Sequence, residues 1–184
     1  MMISNSVFGV ISDTHGHVPD RVCRLLSGVA GIFHAGDIGC VDVLDVLSSI
    51  APVHAVYGNV DTGSLSARLP RIGVFPAGCF KVVVIHDLGP SEVDPRAVEA
   101  EKGSLVIPMG LRRSVFEVIV GERPRVVIYG HTHRPAAIEI GGVLYFNPGS
   151  PTSVRDPQGR ATVGLLDVSG DVPCWEHLFV EAHP

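Results

Sequence analysis

Short runs of β-branched residues, separated by polar and Gly-rich loops, dominate the hydrophobic pattern of this chain. Such runs are typical of buried strands. Two early segments instead repeat apolar residues at helical spacing, and we predict one helix from Asp20 and a second capped by Asp42. Strands and helices therefore alternate, which predicts a parallel sheet with right-handed crossovers. The predicted strands of this half are residues 7–11, 32–34 and 53–57.

The second half carries antiparallel signals. Gly141 and Gly142 separate two apolar runs, which indicates a hairpin. Within the stretch 89–120, broken by proline and glycine, we predict helices only at 94–102 and 111–120. Together the elements predict an α/β fold, a four-layer sandwich of two mixed sheets packed face to face with flanking helices. The further strands predicted are residues 72–75, 80–85, 126–129, 136–140, 143–146, 162–168 and 172–180.

Length and charge restrict the possible functions. With 184 residues, 46% of them apolar, we expect one domain spanning residues 1–184. A net charge of −5 provides no cationic field for nucleic acid or an anionic membrane. The N-terminus lacks the basic segment of a signal peptide, and no apolar run approaches the roughly 20 residues that span a bilayer. We therefore expect a cytoplasmic protein.

Metal-capable side chains follow five of the predicted strands, which come from both halves. In open α/β sheets, ligands bind outside the carboxyl ends of the strands, so these side chains should meet at one edge. Imidazole, carboxylate and amide groups without thiolates suit Mn²⁺, Fe, Zn²⁺, Co²⁺ or Ni²⁺ better than Ca²⁺. Seven ligands exceed the need of one ion, and two ions that share a carboxylate fit better. The seven are Asp13, His15, Asp37, Asn59, His86, His131 and His133.

Five ordered motifs contain these residues, and together they resemble the motifs of calcineurin-like metallophosphoesterases. The small bacterial and archaeal phosphodiesterase branch, related to the retromer subunit Vps29, is the most similar, and Asn147 to Ser150 resembles its closing N-P-G-S motif. The five are Asp13-Thr14-His15-Gly16, Gly36-Asp37, Gly58-Asn59-Val60-Asp61, His86 and Gly130-His131-Thr132-His133.

The resemblance implies a particular division of the ligands. Asp13, His15 and His133 would hold one ion, and Asp37 would bridge it to the second, which is held by Asn59, His86 and His131. A water that bridges two divalent ions, most often Mn²⁺, would then attack a small phosphate-ester substrate in line. The catalytic candidates are Asn59, Asp61 and His131.

Val60 departs from the family pattern. Many members place a histidine there, where it can protonate the leaving alkoxide, whereas valine donates nothing. Positioned acid catalysis contributes about 10²–10⁴-fold, so we expect better activity on phosphodiesters or activated aryl esters than on alkyl monoesters. Asp61 or His17 remains an alternative proton donor.

Several alternatives stay open at this point. Vps29-like relatives act as protein scaffolds, so a protein-binding scaffold that lacks catalysis is one alternative, and a phosphomonoesterase is another. A homodimer is possible, whereas no nucleic acid or membrane partner is expected. His34 is either a partner of the metal ligands or an ordinary strand-end residue, and Asn147 is expected to support the site from a turn.

Overall fold

The computed structural model describes residues 6–88, 124–152 and 159–180. Within these ranges the chain forms ten strands and three helices. In chain order these are β1 (Val7–Ile11), α1 (Asp20–Leu25), β2 (Gly31–His34), α2 (Val41–Ser48), β3 (Val53–Ala55), α3 (Ser64–Arg68), β4 (Ile72–Ala77), β5 (Phe80–Ile85), β6 (Val126–Ile128), β7 (Pro135–Ile140), β8 (Val143–Pro148), β9 (Ala161–Asp167) and β10 (Cys174–Val180).

The strands form two mixed five-stranded sheets. One has the order β10-β9-β1-β2-β3. In it β1, β2 and β3 are parallel to one another, β9 is antiparallel to β1, and β10 is antiparallel to β9. The other has the order β4-β5-β6-β8-β7, with β5, β6 and β8 parallel and the two edge strands antiparallel. The predicted pair of mixed sheets is confirmed.

Apolar side chains pack between the sheets and on their outer faces. Val10 and Phe33 of the first sheet meet Val84 and Phe146 of the second in the central core. Because β1 also carries Ile11 on its outer face, where it packs with α1 and α2, its sequence is a continuous apolar run. The helices thus form a layer on the first sheet, as predicted.

Two helical details differ from the sequence prediction. The residue that precedes α2 is Cys40, which makes no side-chain capping bond, so the prediction of Asp42 as the cap is wrong. Asp42 lies in the first turn, where its charge still complements the helix dipole. Helix α3 was not predicted because it has five residues and only Leu65 of them is buried.

The predicted helices at 94–102 and 111–120 lie outside the described residues, so the outer helical layer on the second sheet stays a prediction. Across the described ranges, no helix combines the length and the apolar character that crossing a membrane requires.

Candidate metal centre

The metal-capable side chains predicted from the sequence come together at one edge of the sandwich. Each lies in a loop that directly follows the carboxyl end of a strand, and these strands come from both sheets. Asp13 and His15 follow β1, Asp37 follows β2, Asn59 follows β3, His86 follows β5, and His131 and His133 follow β6.

The first group of candidate ligands contains four of the predicted residues, one of which is Asp37. One ligand atom from each of Asp13, His15, Asp37 and His133 lies within 4.8 Å of the others. His133 Nε2 is 3.2 Å from Asp13 Oδ1 and 3.2 Å from His15 Nε2. The side chains therefore converge on one small volume.

The second group also meets Asp37. His86 Nε2 lies 3.2 Å from Asp37 Oδ1 and 3.0 Å from Asn59 Oδ1. His131 Nδ1 lies 3.0 Å from the same Asn59 oxygen. Asp37 thus belongs to both groups, as a bridging ligand requires.

The donor set fits divalent ions. Asp13 Oδ1 is fully buried and makes no hydrogen bond, although His133 Nε2 is in contact distance. Such an orphaned carboxylate oxygen is costly unless a cation balances it. His86 donates from Nδ1 to Ala35 O at 2.7 Å, so its Nε2 faces the acceptor oxygens of Asp37 and Asn59. Without a metal, Nε2 has to carry a proton to bond these oxygens, whereas in neutral His86 its lone pair is free to bind an ion. Lone pairs that face one another in this way repel unless a cation lies between them, so a bound metal would stabilise the arrangement.

The pKa shifts point the same way. Burial acts to raise the pKa of Asp37, but hydrogen bonds from His86 and the Val60 amide outweigh it and hold the pKa below its ordinary value. For His86, burial acts to lower the pKa, but the hydrogen bond to Asp37 and the charge of Asp13 raise it above its ordinary value. The site therefore stabilises positive charge between Asp37 and His86.

Backbone strain coincides with the ligands. In the described part of the chain, every non-glycine residue with positive φ is a candidate ligand. Each such conformation costs about 1–3 kcal/mol and persists only where its surroundings impose it. The residues are Asp13 (56°), His15 (48°), Asp37 (53°), His131 (69°) and His133 (59°).

Two glycines make room for the ligand carboxylates. A Cβ atom at Gly58 would overlap the Asp37 carboxylate, and one at Gly130 would lie 2.8 Å from Asp13 Oδ2 and overlap Ser12 Oγ. Glycine is thus required at Gly58 by the close approach of Asp37, and at Gly130 by that of Ser12 and Asp13.

His34 connects the first two ligand loops. Its Nδ1 accepts the Gly36 N–H at 3.2 Å, so its Nε2–H donates to Thr14 Oγ1 at 3.0 Å. Thr14 Oγ1 in turn donates to Ile38 O at 3.0 Å. His34 is fully buried, and burial lowers its pKa to about 4. It is therefore a neutral link between the loop of Asp13 and that of Asp37.

We expect this neutral histidine to make the metal-free protein less stable in acid. The unfolded side chain takes up a proton near pH 6.5 and the folded one near pH 4, so the unfolded state binds more protons in between. The stability advantage of the wild type over His34→Gln, which cannot be protonated, should shrink by roughly 2 kcal/mol from pH 7 to pH 5. Urea unfolding of both proteins at pH 7 and pH 5 measures this difference in the free energy of unfolding. An advantage that is equal at both pH values would refute the neutral state.

The closing N-P-G-S motif supports the loops of Asp13 and His131. Asn147 Nδ2 donates to Gly130 O at 2.9 Å and to Thr132 Oγ1 at 3.2 Å. Ser150 Oγ donates to Asp13 O at 2.8 Å. The structure thus places Asn147 in the supporting position expected of it. The role of Ser150 was missed, although its motif signalled it.

Asp61, a predicted catalytic candidate, is bound to the backbone of the neighbouring loops. It is buried, and its Oδ2 accepts the N–H groups of Gly58 at 2.8 Å and Ile38 at 3.0 Å. Its Oδ1 accepts the Gly39 N–H at 2.8 Å. Both carboxylate oxygens therefore join the Asp37 loop to the Asn59 loop.

Comparison with known proteins places this geometry in context. Residues 7–171 match the model of the calcineurin-like phosphoesterase superfamily domain. The chain is 34% identical over 172 residues to a probable metallophosphoesterase of Methanothermobacter thermautotrophicus, covering 90% of this chain and 87% of that protein. It is 28% identical over 167 residues to a phosphodiesterase of Methanocaldococcus jannaschii, covering 86% of this chain and 91% of that protein.

Solved structures show a similar fold. Vps29 of Chaetomium thermophilum matches with a TM-score of 0.69 and 17% identity, covering 97% of this chain and 98% of that chain. At this identity the likeness concerns the fold alone.

Proposed function

Because the chain belongs to the calcineurin-like phosphoesterase superfamily, we propose that it is a phosphodiesterase whose two divalent ions are held at the strand-end edge. Family membership makes it a metal-dependent hydrolase of phosphate esters. The preference for diesters, the assignment of ligands and Mn²⁺ as the ion are our proposals. The ligands are Asp13, His15 and His133 for one ion, Asn59, His86 and His131 for the other, and Asp37 for both.

The protein's own groups fix the geometry of this site. When bound, the two ions would supply charge that offsets the phosphate oxygens and would lower the pKa of an attacking water. Asp37 is oriented by the Val60 N–H at 3.0 Å, and Asp13 by the His131 N–H at 3.1 Å. The strained loops thus hold both carboxylates in place before substrate arrives.

Val60 is the observation that carries the preference for diesters. Its side chain is 45% exposed and lines the cleft beside Asn59. An apolar wall here suits the carbon substituent of a diester better than the charged, hydrated oxygen of a monoester. It also offers no proton to an alkoxide leaving group.

Asp61 is better suited to shaping the site than to proton transfer. Since its oxygens accept three backbone N–H groups, we propose that it positions the Asn59 loop. Asn59 and His131 remain catalytic candidates as metal ligands that line the cleft.

Catalysis is favoured over a Vps29-like scaffold. A binding module has no need of strained backbone at metal-capable residues, whereas here five of the seven candidate ligands have positive φ. A small phosphate ester as substrate and a cytoplasmic location are part of the proposal.

The test is turnover by protein that has been stripped of metal and reloaded with Mn²⁺, Ni²⁺, Zn²⁺ or Mg²⁺. We expect metal-dependent hydrolysis of an aryl phosphodiester, weaker hydrolysis of the matching aryl monoester, and the weakest of an alkyl monoester. Chelator-treated protein is the control. Absence of turnover with every ion would overturn the enzyme proposal, and faster monoester than diester hydrolysis would overturn the diester preference.

A further inference from the structure

The cleft over the candidate ligands has room for more than the scissile phosphate. Its volume is about 440 Å³, within the range of clefts that hold whole small molecules. The buried Asp37 and His133 form its floor, whereas the exposed Val60 and Arg134 lie at its rim. A substrate that reaches the floor therefore also contacts the rim.

Arg134 is a cation held beside this cleft by a fixed loop. It directly follows His133, and its backbone N–H donates to Thr132 Oγ1 at 3.1 Å. Asn147 Nδ2 donates to the same oxygen at 3.2 Å. The Arg134 side chain thus starts from a backbone position set by buried Asn147, so only the side chain itself has to be ordered when it binds a ligand.

The guanidinium of Arg134 has no ionic partner among the residues of the described ranges. No other arginine or lysine of those ranges lines the cleft. A neighbouring pocket of about 180 Å³ contains Arg71, but the Asp87 carboxylate lines it as well. The main cleft therefore offers the clearer anion-binding surface.

We propose that Arg134 binds a second anionic group, a carboxylate or a further phosphate, on one substituent of the phosphodiester substrate. This rests on the proposed function. Two divalent ions more than balance Asp13, Asp37 and the single charge of a diester, so the scissile phosphate does not require the arginine. The planar guanidinium binds carboxylate and phosphate through paired hydrogen bonds, and its rim position matches a group beyond the reacting phosphorus.

The experiment compares para-nitrophenyl phosphodiesters whose second substituent is ethyl, carboxyethyl or phosphoethyl. We expect the Mn²⁺-loaded wild type to favour the anionic substituents over ethyl by about 10-fold or more in kcat/KM. Arg134→Gln should bring this ratio close to one. Arg134→Lys should keep part of the preference, because lysine retains the positive charge but cannot form the paired hydrogen bonds of a guanidinium. Arg68→Gln, at the exposed end of α3, is the matched control and should keep the full ratio.

Two kinetic outcomes would overturn the proposal. An equal loss on all three substrates in Arg134→Gln would place the arginine on the scissile phosphate, and an unchanged ratio would make it a solvated rim charge. Calorimetric binding of the matching non-hydrolysable phosphonates provides a readout that is independent of turnover. If the wild type binds the carboxyethyl phosphonate more tightly than the ethyl one and Arg134→Gln does not, the subsite stands even where no diester is hydrolysed. Equal binding of both phosphonates by the wild type would refute it.

Discussion

Replacing Asp37 with asparagine is expected to lower kcat/KM on an aryl phosphodiester by about 10³-fold or more. Asparagine keeps the shape of aspartate but removes the charge that two cations share. Asp37 Oδ1 lies 3.2 Å from His86 Nε2, and the Asp37 carboxylate is also within 4.8 Å of the ligand atoms of Asp13, His15 and His133. In the proposed assignment both ions depend on Asp37, so the variant should also lose bound metal.

Metal content by mass spectrometry, measured beside activity, checks this prediction. Asp45→Asn is the matched control, because it removes an exposed carboxylate from α2. Near-ultraviolet circular dichroism establishes that both variants are folded. Full metal content and activity in Asp37→Asn would refute the bridging role.

The second large effect concerns Val60. In Val60→His, the imidazole lies at the cleft beside Asn59, where it can protonate a leaving alkoxide. We expect the ratio of alkyl monoester to aryl diester hydrolysis to rise by about 10²-fold, the lower end of what a positioned acid contributes. Activity on the monoester should then fall at high pH, as the imidazolium loses its proton.

Val60→Gln is the control for polarity, since glutamine forms hydrogen bonds but is not an acid. It should leave the ratio near that of the wild type. If histidine and glutamine alter the ratio equally, or if neither alters it, the missing proton donor does not set the preference.

The strand positions and the metal-capable residues that follow them could be predicted because local sequence carries both signals. Buried strands such as Val7–Ile11 are continuous apolar runs, and strand ends of a mixed sandwich meet at one edge. The five-residue helix Ser64–Arg68 carried too little periodicity to be recognised. The cap of α2 was assigned to Asp42 because its side chain suits a cap, whereas the helix begins at Val41 and Cys40 occupies the cap position.

Roles that depend on distant partners could not be predicted. His34 bonds Thr14, twenty residues away in sequence, and Asp61 bonds the amides of Ile38 and Gly39. From the sequence alone, Asp61 was a catalytic candidate, and His34 was either a partner of the metal ligands or an ordinary strand-end residue. The proposed role of Arg134 was not recognised either, because it depends on the position of this residue at the rim of the cleft, which only the folded structure shows.

The proposed function requires that two ions share Asp37 at the strand-end edge. Anomalous diffraction from crystals soaked in Mn²⁺ locates such ions. We predict two peaks, one among Asp13, His15 and His133 and the other among Asn59, His86 and His131, with Asp37 in contact with both. A single peak, or peaks without contact to Asp37, would contradict the account.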